Sequence, residues 1–254
     1  MELPCSGEYE RVRRLAYDLS MAIPDQPQAR RQSSFFGRRK GYKLRPRQAS
    51  LLEQLLPKLA LDLNAPAPPL LTQLFSVAVT NARLEIGFGG GEHLMAEARA
   101  NESTGFIGCE PYLNGLAKIL AQIDAEPLDN IRLFAGDAAE LLDWMAAGSL
   151  TRIDLIHPDP WPKRRHWKRR FVQDATIRAM ARALKHGGEF RFVSDVDDYA
   201  TWTLQHFARA TNFAWTAERA DDWRRPWPDF THTRYGQKAQ REGRSATYLI
   251  FRRV

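Results

Sequence analysis

The sequence predicts an α/β protein with a mostly parallel, seven-stranded sheet and helices on both faces of that sheet. Two observations lead to this prediction. From residue 82 onward, short apolar segments typical of strands alternate with longer segments of helical periodicity, and alternating units of this kind form parallel sheets. The chain has 254 residues and is 44% hydrophobic, which is enough for a full core.

The chain before the alternating part has a different character. Residues 1–47 are polar, basic and rich in residues that interrupt helices, so we expect a basic, partly disordered N-terminal arm with a short helix over 8–20. Leucines at helical spacing predict a helix over 48–60, near the start of a main domain that covers 48–254. The segment 64–69, N-A-P-A-P-P, predicts a rigid turn.

The strands and helices of the main domain follow in order. Five strands of a parallel sheet are predicted at 83–86, 105–109, 131–135, 153–156 and 189–193. Helices are predicted from the first strand to about residue 100, and then at 113–123, 138–145, 168–185 and 199–210. The last two strands, 213–216 and 247–251, are expected to form an antiparallel pair.

The charge pattern favours an anionic partner. The net charge is +7, and residues 38–47 and 163–170 each contain six Lys or Arg side chains and no acid. Two solvated loops are the alternative interpretation of these runs. Because aromatic residues interrupt both runs, a nucleic-acid surface is favoured.

Cysteine content and hydropathy indicate the compartment. Cys5 and Cys109 are the only cysteines, too few for a disulfide framework, and no Cys/His cluster suggests a metal. The N-terminal residues lack the apolar h-region of a signal peptide, and no apolar run approaches membrane-spanning length. We therefore expect a cytoplasmic protein with no bound metal and no membrane partner, and no obligate protein partner is evident.

A glycine-rich loop follows the first predicted strand. Residues 85–91 read E-I-G-F-G-G-G, and this run fails the G-x-G-x-x-G dinucleotide pattern from either starting glycine. It fits acidic-x-G-x-G-x-G, with Glu85, Gly87, Gly89 and Gly91, and so resembles motif I of S-adenosylmethionine-dependent methyltransferases. A glycine turn without a ligand is the alternative. Glu85 either holds the donor's ammonium group or orients the turn, and the sequence does not separate these roles.

Two acids end the next two strands. Glu110 is placed to accept both ribose hydroxyls of a nucleoside, and Asp137 to meet an adenine amino group, or else either acid caps a helix. In open α/β sheets ligands bind at the carboxyl ends of the strands, where the glycine loop and both acids are expected.

The segment 157–170, H-P-D-P-W-P-K-R-R-H-W-K-R-R, follows the fourth strand into the same crevice. Nitrogen N7 of guanine already carries a lone pair, so its methylation needs no general base. Asp159 could stabilise the positive charge that develops on the purine and accept hydrogen bonds from its N1–H and 2-amino groups. Alternatively, Asp159 only shapes the turn. Asp195 ends the fifth strand, Lys163 can reach a phosphate or a base edge, and Trp161 either stacks on a base or packs.

Across residues 35–254 the sequence resembles the bacterial tRNA (guanine-N7)-methyltransferase family. The resemblance rests on four segments: L-E-I-G-F-G-G-G at 84–91, G-C-E-P at 108–111, P-D-P-W-P-K-R-R-H-W-K-R-R at 158–170 and F-V-S-D at 192–195. It implies a class I methyltransferase (Rossmann-like) fold for the main domain. The implied reaction transfers a methyl group from S-adenosyl-L-methionine to N7 of a guanosine in the tRNA variable loop, at position 46 of the tRNA.

The resemblance also implies residue roles. Asp159 is the catalytic residue and lies beside the donor. The donor is held by Glu85, Gly87, Gly89, Gly91, Glu110, Asp137 and Asp159. Substrate contacts are implied for Lys163, Asp195 and Thr233. The residues expected against the RNA are Arg164, Arg165, His166, Lys168 and Arg169.

The sequence departs from the family's pattern at two places. His157 stands where the family usually has Phe or Tyr. Near the C-terminus the family has T-x-(F/Y)-E, whereas this chain has T-R-Y-G: Thr233 and Tyr235 match, and Gly236 replaces the Glu. Ala239 likewise replaces a Gly. Either Glu242 substitutes for the missing acid or its contact is absent.

Two other functions are compatible with these patterns. One is a methyltransferase with a small-molecule or protein substrate, for which the cationic runs would be incidental. The other is a noncatalytic RNA-binding protein on a methyltransferase fold; the intact glycine motif and Asp159 argue against it, and Gly236 keeps it open.

Overall fold

A computed structural model describes residues 36, 37, 39 and 41–254. The helix predicted over 8–20 and most of the predicted N-terminal arm lie outside these residues. Within the described part of the chain, no helix is both long and apolar enough to cross a membrane.

The predicted sheet is confirmed, with seven strands in the order β3-β2-β1-β4-β5-β7-β6. Strands β1 to β5 are parallel, and β7 lies antiparallel between β5 and β6. The strands are β1 Asn81–Ile86, β2 Thr104–Cys109, β3 Ile131–Phe134, β4 Leu150–Ile156, β5 Leu184–Ser194, β6 Phe213–Trp215 and β7 Thr247–Arg253. Buried apolar side chains form a separate core cluster on each side of the sheet.

Nine α-helices are formed by the described residues. They are α1 Pro46–Gln54, α2 Leu56–Leu59, α3 Glu92–Ala100, α4 Leu113–Ala125, α5 Ala138–Trp144, α6 Asp174–Ala183, α7 Asp197–Ala208, α8 Asp221–Arg224 and α9 Arg234–Arg241. Two 3₁₀ helices lie at Leu71–Leu74 and Arg164–Arg169. Each helix predicted between two strands is present.

The single helix predicted over 48–60 is wrong, because two helices, α1 and α2, occupy this segment. Pro57 has no amide hydrogen and cannot continue the hydrogen-bond ladder of α1. The prediction missed this break because the leucine spacing continues through it.

The helix predicted over 168–185 is also wrong at both ends. The cationic run forms the 3₁₀ helix, and α6 begins only at Asp174, where Gln173 N donates to Thr176 Oγ1 at 3.0 Å in a capping box. Leu184 already belongs to β5. The helices α8 and α9 were not predicted, because their mainly polar sequences have too few apolar residues for a periodic pattern.

Candidate active site

The carboxyl ends of β1, β2, β4 and β5 open into a cavity of about 610 Å³. Parallel strands of an open sheet bind ligands at this edge. Six residues to which the resemblance assigned a role line the cavity: Gly87, Gly89, Glu110, Asp159, Arg169 and Asp195.

The glycine loop between β1 and α3 needs its glycines for conformation and for space. Gly87, Gly89 and Gly91 have φ of 69°, 58° and 84°, in the left-handed region. A Cβ on Gly91 would lie 2.7 Å from the Ile119 side chain, so this glycine lets the loop pack on α4. A Cβ on Gly87 would meet nothing within 4 Å, and its backbone is therefore open to a ligand.

Glu110 braces this loop from the end of β2. Its Oε2 accepts a hydrogen bond from Gly89 N at 2.8 Å, and its Oε1 accepts one from Tyr112 N at 2.9 Å. Burial raises the pKa of Glu110 to about 7, and the negative charges of Asp159 and Glu85 act in the same direction. A ligand that brings hydroxyl donors or positive charge would favour the ionised form.

Glu85 and Asp137 are both buried. Glu85 Oε2 is 2.7 Å from His93 Nδ1, and both side chains are buried. Asp137 is the N-cap of α5, where its Oδ1 accepts a hydrogen bond from Ala139 N at 2.9 Å. Neither residue belongs to the cavity lining, so contact of either acid with a donor stays a prediction.

Asp159 lies on a tightly bent segment at the end of β4. The residues on either side of the P-D-P triplet, His157 and Trp161, have φ of 48° and 43°, which turns the chain sharply at both ends. The Asp159 side chain is open to the cavity. Partial desolvation by the surrounding walls raises the pKa of this carboxyl.

Arg170 holds the bent segment in place. Its Nε donates to Pro160 O at 2.9 Å, and its Nη2 forms an ion pair with Asp198. The guanidinium also lies within 5.2 Å of the ring centres of Trp167, Tyr199 and Trp202. Arg170 is thus a buried part of the protein, although the sequence analysis counted it in the cationic run.

The rest of the cationic run faces outward beside the cavity. Lys163, Arg164, Arg165 and Lys168 are exposed, and Lys163 lies outside the cavity lining. Half-buried Arg169 lines the cavity, with its guanidinium 4.8 Å from the Trp161 ring centre. The His166 ring is also near Trp161, with ring centres 5.7 Å apart.

The C-terminal segment meets the ends of β4 and β5 in another part of the cavity wall. His157 Nδ1 donates to Asp195 Oδ1 at 3.1 Å, and Asp195 also pairs with Arg244. Burial and the neighbouring charges of His232 and Arg244 lower the pKa of His157 to about 4, so this imidazole is neutral at pH 7. Arg244 also pairs with Glu242, an exposed residue.

The two departures from the family's pattern meet in this wall. A Cβ on Gly236 would lie 3.0 Å from His157 Nε2, so a side chain at 236 would press on the imidazole. Thr233 does not line the cavity; its hydroxyl caps α9 by accepting a hydrogen bond from Gly236 N at 3.2 Å. Glu242 does not line the cavity either, so it does not take the place of the missing Glu there.

Comparison with known proteins identifies the family. Residues 80–249 match the model of a family described as putative methyltransferases. A Rhodopseudomonas palustris protein named tRNA (guanine-N(7)-)-methyltransferase is 69% identical over 223 residues, which are 88% of this chain and 84% of that protein. The chain belongs to the tRNA (guanine-N7)-methyltransferase family.

Further relatives of this methyltransferase agree. A protein of the same name from Bradyrhizobium diazoefficiens is 66% identical over 230 residues, covering 91% of this chain and 97% of the relative. The crystal structure of the 16S rRNA methyltransferase KamB aligns with a TM-score of 0.54 at 16% identity, over 72% of this chain and 93% of that one. The predicted class I methyltransferase fold is confirmed.

Several lining residues of the methyltransferase escaped the sequence analysis. Phe36, Tyr112, Lys238 and Arg244 line the cavity without belonging to a recognisable motif. Tyr235 also lines it, and a Cβ on Gly89 would lie 3.7 Å from the Tyr235 ring. The match of Tyr235 to the family's T-x-(F/Y) pattern was the one signal for any of them.

Proposed function

We propose that this protein transfers a methyl group from S-adenosylmethionine to N7 of a guanosine in the variable loop of tRNA, at position 46 of the tRNA. The observation that carries the proposal is the position of Asp159. This acid opens into the same cavity as the glycine loop and lies next to an exposed cationic helix. The name shared by the relatives supports the substrate. A tRNA substrate also implies a cytoplasmic location.

The residues around the glycine loop suit the methyl donor. The open backbone at Gly87 and Gly89 allows a ligand to approach closely, and Glu110 offers carboxylate oxygens for ribose hydroxyls at the end of β2. When bound, S-adenosylmethionine supplies an electrophilic methyl group on a positively charged sulfur. The acids Glu110 and Asp159 give that end of the cavity a negative potential that favours a cation.

Asp159 acts on the base in this proposal. Guanine N7 needs no deprotonation, so the protein's contribution is alignment, exclusion of water and electrostatic stabilisation. The carboxylate accepts hydrogen bonds from guanine N1–H and the 2-amino group and opposes the positive charge that develops on the purine. A clamp such as Arg170 matters here because it holds the turn that carries Asp159.

The cationic helix holds the RNA. Arg164, Arg165 and Lys168 present exposed charges for phosphates, and Arg169 stacked on Trp161 joins that surface to the cavity mouth. Asp195, in the cavity lining, and exposed Lys163, outside it, are proposed to contact the substrate. The N-terminal arm, 1–47, is proposed to add charge to the same surface.

A methylation assay tests the reaction directly. Donor labelled in its methyl group is incubated with the protein and with tRNA from a strain that lacks the modification, and the tRNA is digested to nucleosides. Label in N7-methylguanosine is expected. Label in any other nucleoside, or in protein and not in RNA, would contradict the proposal.

A further inference from the structure

A buried hydrogen bond joins the two ends of the glycine loop. Glu85 is near the end of β1, His93 is in the first turn of α3, and the loop residues 87–91 lie between them. The distance between Glu85 Oε2 and His93 Nδ1 is 2.7 Å, and the two residues are 4% and 1% exposed. This contact therefore fixes the separation of the strand end and the helix start, and with it the shape of the loop.

The bond belongs to a larger buried cluster of charges, which we call the β1–β4 charge cluster. His93 Nε2 lies 4.0 Å from Glu97 Oε1. Glu97 Oε2 pairs with Arg83 at 3.1 Å and also with Arg152. Arg152 Nε in turn donates to Asp154 Oδ2 at 2.8 Å.

The charges of the cluster balance when all three carboxyl groups are ionised and His93 is protonated. Its members are the carboxylates Glu85, Glu97 and Asp154, the guanidiniums Arg83 and Arg152, and His93. With a neutral imidazole, three carboxylates would face two guanidiniums in a region shielded from water. A net buried charge of this kind is costly, which favours the imidazolium.

The surroundings of His93 agree with this charge state. Burial alone disfavours the imidazolium, but the charge and hydrogen bond of Glu85, together with the charges of Asp154 and Glu97, raise the pKa of His93 to about 9. The Phe230 ring, whose centre is 5.6 Å from that of His93, covers the remaining side and brings no charge. His93 Nε2 has no hydrogen-bond partner among the described residues, which opposes the imidazolium, and the charge of Glu97 at 4.0 Å offsets this cost.

We propose that protonated His93 is a positioning residue for the methyl donor, which it serves by holding Glu85 and thereby the shape of the glycine loop. The inference rests on the proposed function, since it takes the loop to be the donor site. His93 itself is outside the cavity lining and touches neither donor nor base.

The inference has a defined pH dependence. The ordinary pKa of His93, 6.5, is raised in the folded protein to about 9. The contribution of the charged bond to folding stability is therefore fully present below pH 6.5 and is lost as the pH rises through about 9, where the folded protein loses the charge. Donor affinity should decline as the pH rises through about 9, because His93 then loses its proton in the folded protein.

The test compares donor binding by wild type and His93→Asn. The Asn amide can keep a neutral hydrogen bond to Glu85 while the positive charge is lost. Dissociation constants of S-adenosylhomocysteine are measured by calorimetry on the full chain without tRNA, from neutral to alkaline pH. Because the ligand's amine also titrates, the readout is the ratio of the two constants at each pH.

At neutral pH the variant should bind about tenfold more weakly, the loss expected for one charge-assisted hydrogen bond. The ratio should fall toward one above the pKa of His93. A ratio that does not vary with pH, or equal affinities at neutral pH despite a lower Tm, would leave His93 a purely structural residue and overturn the inference.

A matched control is His206→Asn. His206 Nδ1 pairs with Asp174 Oδ1 at 2.6 Å, and neither residue lines the cavity. This control variant should bind S-adenosylhomocysteine as wild type does. Wild type that binds no S-adenosylhomocysteine would instead contradict the proposed function, so the two failures are distinguishable.

If His93→Asn does not fold, wild-type protein still decides the matter. Nitrogen-15 NMR of the imidazoles should show His93 protonated at neutral pH, with a midpoint that moves upward when S-adenosylhomocysteine binds. A neutral His93 at neutral pH, or a midpoint that does not respond to the ligand, would overturn the inference.

Discussion

At the scale of single residues, three acids at the carboxyl ends of neighbouring strands lie in three different surroundings. Asp159 is open to the cavity, Glu110 is buried but bonded to backbone amides, and Glu85 is buried against His93. Their sequence signals are alike, because each is an acid at the end of a strand. What separates their roles is the partner that the fold brings to each one, which no local pattern encodes.

Gly236 is expected to be required for the fit of α9 against His157. Gly236→Ala places a methyl group 3.0 Å from His157 Nε2, and this contact should outweigh the roughly 1 kcal/mol by which Ala favours a helix over Gly, so the free energy of unfolding should fall by about 1–2 kcal/mol. Urea unfolding measures this change. Gln240→Ala, on an exposed position of the same helix, is the control and should be neutral. Equal stability of both variants would show that α9 moves freely away from His157.

Arg170 is expected to act through the turn that carries Asp159. Arg170→Met removes the hydrogen bond to Pro160 O and leaves Asp198 without its cation. The free energy of unfolding should fall by at least about 2 kcal/mol and kcat should fall with it, while tRNA affinity stays within about twofold. A loss of tRNA affinity with unchanged kcat would place Arg170 on the RNA surface instead.

At the scale of elements, the cationic 3₁₀ helix is the part most open to test. Replacing Arg164, Arg165 and Lys168 together with Ala should weaken tRNA binding and reduce the salt slope of log K by about 2–3, as expected for the loss of up to three phosphate contacts. Filter binding at several salt concentrations measures both quantities.

Three exposed cations elsewhere, Lys58, Arg178 and Lys185, provide a control of equal charge. Their joint replacement by Ala should leave the salt slope nearly unchanged. If both triple variants bind tRNA alike, net charge and not the 3₁₀ helix determines RNA affinity.

The elements also show what sequence patterns can predict. The strands were found because apolar runs between glycines and polar turns are strong signals, and their parallel order followed from the alternation with helices. The break at Pro57 was missed because the leucine spacing continues through this proline. The late start of α6 was missed because the helical spacing of apolar residues extends back toward the cationic run, which contains buried Arg170. The polar helix α9 carries part of the cavity wall and gave no periodic signal.

At the scale of the whole molecule, the proposed roles of two buried titratable groups predict a pH range for donor binding. The ordinary pKa of Glu110, 4.5, is raised to about 7, so its carboxylate is fully formed only above pH 7. His93 keeps its charge up to about pH 9. Donor affinity measured by calorimetry is therefore expected to be greatest between these values.

Glu110→Gln tests the decline in donor affinity that is expected below pH 7. With no carboxyl to titrate, the variant should bind the donor more weakly at pH 8 and lose the decline below pH 7. A wild-type profile that stays flat from pH 5 to pH 7 would show that Glu110 is ionised throughout and that burial does not control it.

The proposed chemistry depends on one acid, Asp159, which lines the cavity, and its replacement is the most direct test. Asp159→Asn keeps the size of the side chain and its place on the turn but removes the charge that stabilises the methylated purine. Single-turnover methylation of unmodified tRNA is expected to slow by at least about 100-fold, with tRNA affinity within about twofold of wild type. Methylation at the wild-type rate would contradict the role given to Asp159.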